Sequence, residues 1–150
     1  MLEQFHVPAD IAIHVPQENM RATVEDIFRK MRMPEDDATQ AADVLMYADI
    51  RGVESHGVSN MMRAYVAGFG AGRINPTPEP KIVREAAAVA TIDSDRGHGL
   101  VIGPYAMNMA IERAKNYGIG SVSVTNGAHF GAAAYHAAMA LEHDMIGLAM

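Results

Sequence analysis

Residues 121–135 read SVSVTNGAHFGAAAY, a short alternating run that breaks at Asn126-Gly127, sets a histidine between glycines and passes into an alanine-rich stretch. From Ile119 to Thr125, Val122 and Val124 alternate with Ser121, Ser123 and Thr125, the period-two pattern of a strand with one apolar face. Ala132 to His143, with Met139 and Leu141, predicts a helix, and the apolar run Met145 to Met150 predicts a short buried strand. Strand, helix and strand in succession predict a right-handed crossover between parallel strands. Ligands of such sheets gather at the carboxyl ends of strands, which is where the loop bearing His129 falls.

Upstream of this unit, Lys81 to Arg84 and Val89 to Asp93 read as short strands, followed by the loop Ser94 to Gly99. Pro104 suits the first turn of a helix with Met107, Ala110, Ile111 and Ala114 at helical spacing and Gly118 as its cap. Earlier still, Asn75-Pro76-Thr77-Pro78-Glu79-Pro80 reads as an extended linker, the natural boundary between a helical part, residues 1–75, and an α/β part, residues 76–150.

The helical part opens with a leader, residues 1–16, whose alternation Ile11 to Val15 suits a sheet edge or the surface of a neighbouring subunit. Met20, Val24, Ile27, Phe28 and Met31 then form the stripe of an amphipathic helix over Gln17 to Arg32. Pro34 opens a second helix, with Glu35, Asp36 and Asp37 at the positive end of its dipole and Ala41, Val44, Leu45 and Ala48 as its buried face. It ends near Gly52, and a third helix runs from Val58 to about Phe69 with Met61, Met62, Tyr65, Val66 and Phe69 on its apolar side. The fold class is therefore α/β, helices first. A parallel strand at Met145 to Met150 needs neighbours and covering helices, so the sheet is expected to be incomplete within these 150 residues.

Composition narrows the function classes. A 49% hydrophobic, 20% charged chain is that of a globular protein, and a net charge of -6 with scattered Lys and Arg argues against nucleic acid as a partner. The absence of Cys removes disulfides, thiolate metal sites and cysteine nucleophiles. No apolar run approaches roughly 18 residues and the amino terminus lacks a basic then apolar signal, so no membrane partner is expected and the cytoplasm is the expected compartment. The 12 Met residues fit adaptable packing between helices.

Two histidines stand out by position. His129 on a loop at a strand end can exchange a proton with a substrate oxygen near neutral pH; it can equally cap the following helix or bond backbone. Ser55-His56-Gly57 joins the second and third helices, and Asn60 and Arg63 lie about a turn further on, so that His56, Asn60 and Arg63 are placed to converge on a small anion. In the blander reading Ser55 caps the third helix and His56 faces solvent. Metal binding finds no support: His136 and His143 share a helical face roughly 10 Å apart, and no HExxH-type spacing occurs. Gly97-His98-Gly99 precedes a helix, yet Ile102 occupies the place of the third glycine of G-x-G-x-x-G.

Taken together, ADVLMYADIRGVESHG from Ala42 to Gly57, Gly72-Arg73-Ile74-Asn75, Gly97-His98-Gly99, Asn126 to Gly131 and Met145-Ile146-Gly147 resemble, in order, the motifs of the type 2 malate/L-lactate dehydrogenase family. That family also includes ureidoglycolate and sulfolactate dehydrogenases and cyclic imino acid reductases. The resemblance runs from about Gln17 to Met150. It implies an NAD(P)-dependent oxidoreductase of non-Rossmann α/β fold, usually a homodimer, that interconverts a small 2-hydroxy acid such as malate or lactate with its 2-oxo acid, with NAD favoured as cofactor.

By the same resemblance His129 donates the proton to the carbonyl oxygen, while His56 and Ser55 orient substrate; the two histidines can exchange roles. Many members carry an arginine where this chain has Asn60, and Arg63 is the residue placed to take over the substrate carboxylate. Members are longer, which implies a chain continuing past Met150 with most cofactor contacts beyond it. A chain ending there would be an inactive fragment or an interaction module, and ureidoglycolate or a cyclic imino acid is the alternative substrate.

Overall fold

Three helices form the first layer of the computed structural model, which describes residues 7–150. The leader's residues 1–6 lie outside the described residues; its remainder forms no strand, and Ile11 and Ile13 are exposed. Helix α1 spans Gln17–Lys30 and turns Val24 and Phe28 fully inward. It ends two residues before the predicted Arg32, because Arg32 adopts a left-handed φ of 71° and the Met33 N–H closes back on the Phe28 carbonyl. Helix α2, Glu35–Ile50, begins at Pro34 as expected, and its Ala38, Ala41, Ala42, Val44, Leu45 and Ala48 are wholly buried. Four of those six are alanines, which lets α1 approach closely. Helix α3, Val58–Gly70, adds Met62 and Tyr65 to the same core.

The second layer is a three-stranded sheet in the order β1-β2-β3, from β1 (Lys81–Ala86), β2 (Val89–Asp93) and β3 (Ser121–Thr125). Strand β1 pairs antiparallel with β2, with a register irregularity between Ile82 and Arg84. Strands β2 and β3 run parallel, Val89 opposite Ser121 and Asp93 opposite Thr125. Helix α4, Gly99–Tyr117, makes the crossover between them. Its Ile102 and Ala106 cover Ile92 of the sheet, while Leu100 inserts into the helical core.

Two expectations are corrected. Pro104 lies inside α4 rather than in its first turn, because the helix starts at Gly99, where the His98 ring accepts the Leu100 N–H at 3.1 Å and caps it. The run Met145 to Met150 is no buried strand: it pairs with no strand among the described residues, and Ile146, Leu148 and Met150 are exposed. The parallel crossover is therefore β2-α4-β3, one unit earlier than predicted. The helix expected over Ala132 to His143 exists as α5, Ala133–Ala138, tightening into a 3-10 turn over Met139–His143. At Gly147 the chain lies so close to α5 that a Cβ there would stand 2.0 Å from the Ala137 carbonyl oxygen.

Candidate active site

Parallel pairing of β2 and β3 sends both following loops out of the same edge of the sheet, and a knot of hydrogen bonds keeps them in step. The Ser94 hydroxyl donates to the Asn126 carbonyl at 2.7 Å, and the Asn126 amide donates to Asp93 at 3.0 Å. Asn126 takes a left-handed φ of 54°, which turns the chain sharply toward His129. The β3 loop then leaves the sheet and rests on helices. Gly131, at a φ of 78°, sits where a Cβ would come within 2.6 Å of Leu100 and 3.1 Å of Val44. Gly99 leaves no room for a Cβ either, which would lie 2.4 Å from the His129 carbonyl oxygen. His136 on α5 donates through Nε2 to the Phe130 carbonyl at 2.7 Å and stacks on the Phe130 ring.

The second histidine comes from the junction between α2 and α3. Glu54–His56 forms a single 3-10 turn, and Asp49 near the end of α2 accepts the Val58 N–H at 2.9 Å, so it is Asp49 and not Ser55 that caps α3. Burial raises the Asp49 carboxyl pKa, and the Val58 N–H partly offsets that. A Cβ at Gly57 would stand 1.7 Å from the Asp49 carboxylate oxygen and displace this cap. Ser55 instead turns its hydroxyl to His56 Nδ1 at 2.9 Å.

These supports bring the two imidazoles together. The rings of His56 and His129 stack with centroids 5.4 Å apart and planes inclined by 23°. Partial burial and the neighbouring His56 both lower the pKa of His129. Asn60 does not join them: its amide donates to the Glu54 carbonyl at 2.8 Å and closes the turn. Arg63 is exposed one helical turn beyond Asn60, on the same side of α3.

Sequence patterning missed two members of this cluster. Tyr65, assigned to the apolar side of α3, is buried, yet its hydroxyl meets His129 Nδ1 at 3.0 Å. Sixty-four positions separate that pair, so no spacing rule could find it. His98 lies beneath, 1% exposed, edge-to-face with Tyr65 at 4.5 Å and stacked on Phe69 at 5.3 Å. Burial among these rings, with a smaller contribution from His129, depresses its pKa to about 3.

The cluster lies where the loops after β2 and β3 meet the helical layer. No grouping of three or more His, Asp or Glu side chains suited to a metal ion occurs among the described residues. No helix there is long and apolar enough to cross a membrane. The amino terminus of α4, the obvious place for a dinucleotide pyrophosphate, does not fit one: the His98 side chain caps it, and the Ala128 and His129 carbonyls occupy the space beside Gly99.

Fold and cluster thus define a mixed α/β protein that holds a pair of stacked imidazoles at the parallel end of its sheet. The chain belongs to the malate/L-lactate dehydrogenase family, whose model matches residues 15–150. It is 45% identical to a malate dehydrogenase of Pyrococcus abyssi over 92% of this chain and 38% of that enzyme. With an L-sulfolactate dehydrogenase of Methanocaldococcus jannaschii it shares 44% identity over 87% of this chain and 38% of that protein. The solved malate dehydrogenase of Pyrococcus horikoshii superimposes with a TM-score of 0.87 at 41% identity, over 93% of this chain and 40% of that one. The chain therefore spans about 38% of the length of these curated relatives.

Proposed function

We propose that these residues form the substrate end of an NAD(P)-dependent oxidoreductase that interconverts a small 2-hydroxy acid, such as malate or lactate, with its 2-oxo acid. The stacked pair His56 and His129 carries the reading, since two titratable rings in contact suit the exchange of a proton with the substrate oxygen. His129 is the proton donor to the carbonyl oxygen in reduction. His56, held by Ser55, orients the substrate. Arg63, with its free reach on α3, takes the carboxylate, and Asn60 keeps the turn that carries His56 in place.

Residues 1–75 supply the substrate-facing helices in this reading, and residues 76–150 supply the first portion of the cofactor-binding part. The relatives' names support a nicotinamide partner, and of the two forms NAD is the one proposed. The pyrophosphate contacts fall outside the α4 terminus. A homodimer in the cytoplasm completes the proposal.

The test is direct. Full-length protein with NADH or NADPH and a panel of 2-oxo acids should consume reduced cofactor, followed by absorbance, with oxaloacetate or pyruvate among the substrates. No consumption with oxaloacetate, pyruvate or cyclic imino acids overturns the proposal.

A further inference from the structure

We infer that Tyr65 is a positioning residue for His129: its hydroxyl holds Nδ1 and so fixes the ring, stacked on His56, with its proton on Nε2. The inference rests on the proposed function for its rate arm alone. Gly131 N–H points at His129 Nδ1 from 3.3 Å, and a backbone N–H can only donate. Nδ1 is therefore the acceptor of the neutral ring, the Tyr65 hydroxyl donates to it at 3.0 Å, and the ring proton resides on Nε2. Hydrogen bonding thus selects one tautomer of the ring of an exposed residue.

A hydroxyl suits this task better than a purely donating group. It can reverse and accept from Nδ1–H once the ring takes up a second proton, while the longer Gly131 contact lets go, so the ring keeps its orientation in both charge states. Burial raises the Tyr65 pKa, so the phenol stays protonated through this cycle. The ring of Tyr65 is itself fixed from below. His98 has Nδ1 committed to the Leu100 N–H and packs edge-to-face on Tyr65, with Phe28 at 5.5 Å and Phe69 at 5.3 Å closing the other sides. Aligned against these rings, the phenol reaches only one side-chain partner among the described residues, His129.

A tyrosine kept merely for volume would be replaced by phenylalanine without effect, which gives the test its contrast. In full-length protein labelled with 15N-histidine, the neutral His129 ring should show Nε2 protonated and Nδ1 as a hydrogen-bonded acceptor. In Tyr65→Phe the Nδ1 resonance should move toward that of an acceptor lacking a donor, and kcat should fall about tenfold with KM changed less than about twofold, the effect of losing one hydrogen bond. A wild-type ring protonated on Nδ1 instead, an unchanged Nδ1 resonance in the variant, or a variant kcat equal to wild type overturns the inference. Should the wild type reduce no oxo acid at all, the proposed function fails, while the resonances still decide the role of Tyr65.

Discussion

Phe28, Val44 and Leu45 in the helical layer are wholly buried, whereas every residue of β1 is exposed and β3 shelters only Val122 in part. The helices close a core of their own; the sheet buries Ala90 and Ile92 of β2, with Ile102 and Ala106 of α4 packed against Ile92. The difference shows where the candidate site draws its rigidity. The His129 loop grows from the sheet but is seated on Leu100, Val44 and Tyr65, so the better-packed region holds the chemistry of the more open one.

The seam between the two regions should be the most sensitive place. His129→Asn is expected to lower kcat of the full-length enzyme about a thousandfold, within the range for losing an acid-base group, with little change in urea midpoint. A variant of near wild-type activity would detach the imidazole from the reaction. Next in size, Leu45→Ala should cost about 3 kcal/mol of unfolding free energy, against less than about 1 kcal/mol for Val124→Ala, a residue 40% exposed in these 150 residues. Equal losses in urea titrations would erase the contrast between helices and sheet.

Acid should act through the buried ring beneath the seam. The folded pKa of His98, about 3, lies below its ordinary 6.5, so the unfolded chain binds more protons between those values. The stabilisation is therefore complete above pH 6.5 and is lost as pH falls toward 3; between pH 7 and 5 the loss should be about 2 kcal/mol. Burial lowers the pKa of His136 as well, in the same sense. Urea midpoints at the two pH values check this, and a His98→Gln variant should flatten the difference. A wild-type midpoint that does not move would contradict it.

The helical layer was legible because a stripe such as Met20, Val24, Ile27 and Phe28 writes burial directly into local spacing. Strand β2 was legible for the same reason, and β3 from its period-two alternation, although only Val122 of its two valines is partly sheltered. The start of α4 was not, since its cap is a histidine ring and Pro104 offered a more familiar signal further along. Met145 to Met150 misled because apolar content marks what can be covered, while a strand needs a partner for its backbone. The histidine positions followed from motif and loop chemistry. Tyr65 and His98 did not, because their contacts with the site pass through space between separate elements.

Gly99 carries one last consequence. With no gap for even a methyl group between the first turn of α4 and the His129 backbone, loop and helix must travel as a single block.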